Sequence, residues 1–93
     1  MKRMDTRDCL KKQVELMNKH NRPNSNGVIV LFKQEDNYEA YNEGSDMMHD
    51  AFGTERQRDF GCVRVTGFPH DKLDTFLPTI IRANYRVCIV ESL

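Results

Sequence analysis

Apolar residues recur at a helical spacing in the first part of the chain and then run without interruption. Within residues 6 to 20, three of them mark one side of a predicted amphipathic helix: Leu10, Val14 and Met17. Residues 28 to 32, VIVLF, form a β-branched and aromatic run that is typical of a central strand buried on both faces. Between them, residues 21 to 27, NRPNSNG, supply turn geometry and predict the end of the helix.

The pattern predicts a second, short helix beyond this strand. Asn42 can cap it, and Glu43 and Asp46 in its first turn suit the positive end of the helix dipole. Its predicted buried face consists of Met47, Met48, Ala51 and Phe52. Gly53 is expected to end it in the left-handed conformation.

The last third of the chain predicts a strand, a helix and a strand. Residues 60 to 65 form the first strand and residues 85 to 92 the second. Residues 69 to 84 between them carry the stripe of a helix that lies on a sheet: Leu73, Phe76, Leu77, Ile80 and Ile81. A β-α-β unit over residues 60 to 92 implies parallel strands joined by a right-handed crossover. Asn84 suits the left-handed end of the helix.

The predicted order of elements is helix, strand, strand, helix, strand, helix, strand, which indicates the α/β class. No linker is long enough to separate domains, so we expect a single domain over residues 1 to 93. Fourteen basic residues balance fourteen acidic ones, so DNA binding would require local basic patches.

Composition also limits location and cofactors. No segment approaches the ~18 apolar residues that span a bilayer, and the N-terminus lacks the apolar region of a signal peptide. We therefore expect a cytoplasmic protein with no membrane contact. The three cysteines and three histidines are scattered without the spacing of metal ligands, so no metal or other cofactor is expected.

The stretch LFKQEDNYEAY, residues 31 to 41, begins as an apolar strand, becomes acidic and then places an Asn, a Tyr and a Glu in a row. Side chains alternate along a strand, which places Asn37, Glu39 and Tyr41 on one face and Tyr38 on the other, toward the core. Two polar groups, Asn37 and Glu39, therefore lie side by side on one face where a strand ends.

Two stretches resemble the N-terminal mismatch-recognition domain, domain I, of MutS proteins. GFPHDKLDTFLPTIIRANYRVCIVESL, residues 67 to 93, is similar to its Gly-x-Pro turn, helix and Gly-Tyr-Arg-Val-Ala-Ile strand. VIVLFKQEDNYEAYNEGSDMM, residues 28 to 48, resembles its apolar strand, Gly-Asp-Phe-Tyr-Glu motif and acidic helix start. The resemblance covers about residues 8 to 93 and implies a mixed sheet flanked by helices. The length leaves no room for connector, clamp or ATPase domains, and no phosphate-binding loop motif is present, so a stand-alone module without nucleotide is expected.

The resemblance also implies which residues face DNA. In the family motif, the Phe wedges into the base stack from the minor groove and the Glu hydrogen-bonds the mispaired base. Here Glu39 and Tyr38 stand at the Glu and Tyr positions, but Asn37 occupies the wedge position and Glu35 replaces the Gly. Asn can hydrogen-bond in the minor groove but cannot wedge, and losing an aromatic stack costs ~1–3 kcal/mol.

Two functions compete on this sequence. The first is a non-catalytic DNA-binding module, related to DNA repair, that reads mispaired or distorted duplexes through Asn37 and Glu39. Its candidate phosphate contacts are Lys33, Arg56, Arg58 and Arg64. The alternative is a protein-interaction or regulatory module that lost mismatch binding and contacts a repair or DNA-processing protein through Tyr41. Catalysis is not expected, because no nucleophile, base or metal cluster accompanies the carboxylates Asp36 and Glu39.

Overall fold

A five-stranded mixed sheet forms the centre of the fold. The computed structural model describes residues 3–53 and 58–93, with the backbone alone for residues 58–60. In chain order the elements are α1 (Thr6–His20), β1 (Gly27–Gln34), β2 (Asn37–Tyr41), α2 (Glu43–Phe52), β3 (Arg58–Phe60), β4 (Val63–Pro69), α3 (Leu73–Arg82) and β5 (Tyr85–Val90). A short 3-10 turn, His70–Lys72, leads into α3.

The strands lie in the order β3-β4-β2-β1-β5. β1 pairs with β5 in parallel, and the other neighbouring pairs are antiparallel. Because β4 is antiparallel to β2 and β2 is antiparallel to β1, β4 runs in the same direction as β5. The α/β class, the mixed sheet and the parallel direction of the β-α-β strands are confirmed, with β2 and β1 lying between those two strands.

Helices cover both faces of the sheet. On the face covered by α1, hereafter the α1 face, the buried cluster is Cys9, Val28, Val30, Phe32, Tyr41, Val65 and Val90. On the opposite α2–α3 face it is Ile29, Leu31, Tyr38, Ala40, Met48, Phe68, Ile80 and Tyr85. Burial of one large aliphatic side chain contributes about 1.5–3 kcal/mol. The continuous apolar run in β1 therefore reflects a strand that is buried on both faces, as predicted.

The predicted apolar stripe of α1 is wrong in one residue. The helix has the predicted bounds, but Val14 is 58% exposed. Its buried residues are Cys9 and Gln13, one turn apart. A glutamine can face the sheet because its Nε2 donates to the Tyr41 carbonyl at 3.0 Å. The helix is rotated toward a polar contact that apolar periodicity does not detect.

The strand predicted over residues 60 to 65 is also wrong, because a tight turn divides it. Gly61, with φ of 65°, lies in the turn between β3 and β4. β4 then continues to Pro69, which had been assigned to the following helix. A proline is tolerated at the end of a strand, where no further ladder hydrogen bond is required of it.

Predictions for the helix ends had mixed outcomes. Gly53 and Asn84 have positive φ angles, 74° and 65°, as predicted for helix ends. Asn42 precedes α2, but its side chain does not cap that helix. Its Oδ1 accepts a hydrogen bond from the backbone N–H of Arg64 at 3.1 Å, so the side chain ties α2 to β4 instead.

The turn between β1 and β2 holds a strained residue. Glu35 has φ of 57°, a conformation that costs a residue other than glycine on the order of 1–3 kcal/mol. Glu35→Gly is therefore expected to raise the free energy of unfolding by about 1 kcal/mol, after the greater entropy of glycine in the unfolded chain is counted. Urea denaturation of both proteins measures this difference.

The neighbouring residue provides the control. Asp36 is also exposed in the same turn but is not among the residues with positive φ. Asp36→Gly is expected to lower the free energy of unfolding by about 0.5–1 kcal/mol. Equal effects of the two glycines would show that the backbone of Glu35 is not strained.

Candidate nucleic-acid interface

The start of β2 lies at one end of the sheet, beside the β1–β2 turn. Asn37 and Glu39 lie on the α1 face, and Tyr38 is buried in the opposite core, as predicted. The cross-strand partners of Asn37 and Glu39 on β4 are Pro69 and Gly67. Together with Phe68, these residues line a cleft of about 230 Å³, which we call the Glu39 cleft.

Tyr41 and Arg3 both donate to the carboxylate of Glu39. Its Oε1 accepts a hydrogen bond from the Tyr41 hydroxyl at 2.7 Å and from Arg3 Nη2 at 2.9 Å. The Glu39 side chain is 3% exposed, whereas that of Arg3 is 43% exposed. A buried carboxylate requires such partners, because removing a charge from water costs several kcal/mol. The hydrogen bond to Glu39 also raises the pKa of Arg3, so the guanidinium stays charged.

Behind this ion pair lies a buried polar network. Gln34 Nε2 donates to the Tyr41 hydroxyl at 3.1 Å and to the Met4 carbonyl at 3.0 Å, while Gln34 Oε1 accepts from the Met4 N–H at 2.7 Å. Burial raises the pKa of Tyr41 well above its usual range, and the bond to Glu39 adds to burial while that to Gln34 opposes it. The phenol therefore remains protonated and able to donate to Glu39.

The Cys9 thiol lies next to Gln34 at the buried end of this network. Gln34 Nε2 approaches Cys9 Sγ at 3.7 Å. Burial is the main cause that raises the pKa of Cys9 to about 11. The thiol is neutral at physiological pH and is a buried packing group, not a reactive nucleophile.

Because Gly67 has no side chain, the side chain of Glu39 can pack against its backbone. A Cβ atom at this position would lie 3.3 Å from Glu39 Cγ and 3.1 Å from the Tyr38 carbonyl oxygen. Both distances are shorter than ordinary van der Waals contact. A larger residue at position 67 would press against Glu39 from the neighbouring strand.

The structure does not bring all predicted site residues together. Asn37 is exposed at the rim of the cleft. Lys33 is the cross-strand partner of Tyr38 and therefore belongs to the opposite, α2–α3 face. Arg64 lies on that face as well, where its Nε and Nη2 donate to the two carboxylate oxygens of Asp46 at 2.9 and 2.8 Å. The sheet separates Lys33 and Arg64 from the Glu39 cleft.

The remaining predicted contacts have different outcomes. Arg56 lies outside the described residues, and of Arg58 only the backbone in β3 is described. Tyr41 is 1% exposed, with its ring 5.6 Å from that of Phe32, so the expectation of a contact residue for a partner is wrong. The cause is its position on the α1 face, because α1 covers the strand where Tyr41 lies.

Sequence reasoning missed Arg3, Gln34 and Gly67. Gln34 had a usable signal: it follows Phe32 by two residues and so shares the buried face of β1. Arg3 had none, because its partner is 36 positions away. Among residues 3–53 and 58–93, no three metal-binding side chains form a group that could hold an ion. In that same part of the chain, no helix is long and apolar enough to cross a bilayer.

Comparison with known proteins gives one consistent result. The family model described as MutS domain I matches residues 10–93. A DNA mismatch repair protein MutS from Porphyromonas gingivalis is 39% identical over 70 residues, which are 71% of this chain and 8% of that protein. The MutS of Bacteroides fragilis gives the same values, and that of Salinibacter ruber is 38% identical over 69 residues, 70% of this chain. This chain thus spans about 8% of the length of these relatives.

Proposed function

This chain belongs to the MutS domain I family, and from that membership we propose that it is a DNA-binding module for mispaired or distorted duplexes. The proposal concerns this domain alone, because the relatives are many times longer. Residues 10–93 agree with the coverage expected from sequence motifs, about residues 8 to 93, so the resemblance is confirmed.

The observation that carries the proposal is the placement of Asn37 and Glu39. They lie two residues apart on one face of β2, at the rim and the base of an open cleft at the end of the sheet. The amide of Asn37 can donate and accept hydrogen bonds, and the carboxylate of Glu39 can accept them from a base edge. These two groups would read a base that a mispair or bulge has loosened from the stack.

The missing aromatic wedge limits the strength of this interaction. Insertion of an apolar side chain between base steps helps to offset the cost of unstacking them, and the polar Asn37 cannot do so. Binding is therefore expected to be weak and to favour duplexes in which the base is already unstacked. A one-base bulge should bind more tightly than a G·T mispair, because less unstacking remains to be done.

Contacts to phosphate would come from basic side chains, of which Lys33 and Arg64 lie across the sheet from the Glu39 cleft. Lys33, Arg56, Arg58 and Arg64 remain the proposed contacts. Arg64 would have to share its guanidinium between a phosphate and Asp46, since both oxygens of that carboxylate are bonded to it. Each phosphate contact adds close to one unit to the slope of log affinity against log salt concentration.

The test is a titration of labelled duplexes at low salt, followed by fluorescence anisotropy. A perfect duplex, a G·T mispair and a one-base bulge are compared for the natural protein and for Glu39→Gln, which keeps the shape of the side chain but removes its charge. We expect the preference for the bulge to fall by about 5- to 12-fold, because a hydrogen bond to a charged group is stronger than one to a neutral group by about 1–1.5 kcal/mol. Glu43→Gln, an equal charge change on exposed α2, is the control and should leave the preference unaltered.

Absence of binding to every duplex would favour the alternative, a protein-interaction or regulatory module. A surface for such a contact lies on α3. A groove of about 430 Å³ on α3 is mainly apolar and includes Leu77, Pro78 and Ile81, and Ile81 is 54% exposed. An exposed apolar groove is a common feature of protein contact sites.

A further inference from the structure

We infer that residues 3–5 form a strap over the Glu39 carboxylate, so that Glu39 can bind DNA only after its ion pair with Arg3 breaks. The inference rests on the proposed function and adds a control of access to the same site. It assigns a role to a segment that precedes the match to the family, which starts at residue 10.

Three contacts hold the strap against the end of the sheet. Arg3 Nη2 bonds to Glu39 Oε1 at 2.9 Å, and the N–H and carbonyl of Met4 both bond to the side-chain amide of Gln34, at 2.7 and 3.0 Å. Gln34 is fully buried, so it presents its amide to Met4 in a fixed position. Asp5 then begins α1, because its side chain accepts a hydrogen bond from the N–H of Arg7 at 2.8 Å.

The strap hides the group that the proposed function requires. The Glu39 side chain is 3% exposed, and its Oε1 is shared by Arg3 and Tyr41. A carboxylate in this state presents little surface to a base. Tyr41 lies on the inner side of Glu39 and belongs to the core, whereas Arg3 lies on the outer side and is 43% exposed. Arg3 is therefore a contact that can open without disturbing the core.

A DNA phosphate can compete with the Glu39 carboxylate for Arg3 and so open the strap. A guanidinium pairs with phosphate as well as with carboxylate, and it can do so with two parallel hydrogen bonds. When a duplex approaches the cleft, Arg3 can transfer from Glu39 to a phosphate oxygen. That transfer removes Arg3 from the outer side of the carboxylate at the same moment that a base comes within reach. Away from DNA the ion pair keeps the acidic group neutralised and covered.

The experiment compares Arg3→Ala with Arg7→Ala, which removes the same charge from an exposed residue on the first turn of α1. The ratio of affinities for bulged and perfect duplexes is the first readout. The second needs no DNA: a neutral gadolinium chelate in solution enhances the NMR relaxation of protons that it can approach, here those on Glu39 Cγ. Because a covered site lowers apparent affinity by the fraction of open molecules, we expect Arg3→Ala to raise the ratio by about 3- to 10-fold.

The relaxation of the Glu39 protons should rise in Arg3→Ala and stay unchanged in Arg7→Ala. A lower ratio in Arg3→Ala would overturn the inference, because Arg3 would then contact the bulged base itself and not only a phosphate that both duplexes share. An unaltered ratio in a variant whose Glu39 has become accessible would also overturn it, since access would then have no effect. If no protein binds any duplex, the proposed function fails, and the relaxation measurement alone decides whether the strap covers Glu39.

Discussion

Asn37→Phe is expected to tighten binding to a bulged or mispaired duplex by about 5- to 150-fold, which corresponds to the ~1–3 kcal/mol of one aromatic stack on a base. Asn37 is exposed at the start of β2 and belongs to neither buried cluster, so the larger ring can be accommodated without moving the core. The phenyl group would insert beside a base that is already loosened. Affinity for a perfect duplex should change much less, because unstacking must then be driven entirely by the protein.

Asn18→Phe is the matched control for this gain. Asn18 is also exposed but lies on α1, so the same substitution adds the same apolar surface away from the cleft. It should leave the preference for the bulge unchanged. An equal increase in both variants would indicate nonspecific apolar contact with DNA. No increase with Asn37→Phe would mean that position 37 does not face the base stack.

Gln34→Met is expected to lower the free energy of unfolding by about 2–4 kcal/mol. The substitution keeps the volume of the side chain and removes its hydrogen bonds to Met4 and Tyr41, which leaves the buried Tyr41 hydroxyl without a donor. A chain of this length has a total stability of roughly 5–14 kcal/mol, so this loss is a large part of it. The melting temperature should fall by roughly 10–25 °C in calorimetry.

Gln13→Met isolates the effect of the network from that of burying a glutamine. Gln13 is buried as deeply as Gln34, yet within the described residues its Oε1 has no hydrogen-bond partner, and its Nε2 makes one bond, to the Tyr41 carbonyl. Removal of the unpaired oxygen offsets the loss of that bond. We therefore expect the free energy of unfolding of Gln13→Met to differ from that of the natural protein by less than about 1 kcal/mol. Similar decreases in the free energy of unfolding of the two variants would show that the hydrogen bonds of Gln34 contribute little to stability.

The elements of this protein follow from local patterns in its sequence. The continuous run in β1 and the stripe in α3 are set by the period of each structure, because a face that is apolar in every turn or every second residue must be buried. The same alternation places Asn37 and Glu39 on one face and Tyr38 in the core. Positive φ at Gly53 and Asn84 was equally local, since it depends on the residue type that ends a helix.

Exposure and pairing, in contrast, were decided by contacts between distant segments. Tyr41 has the sequence context of a surface residue, but α1 covers it, and Val14 is exposed because α1 turns Gln13 toward the sheet. No residue near Glu39 in the sequence predicts its ion pair with Arg3. That pair depends on how the N-terminal segment packs against the end of the sheet. Periodicity determines which face a residue occupies. Only the tertiary packing determines what covers that face, and with it whether Glu39 is free to bind.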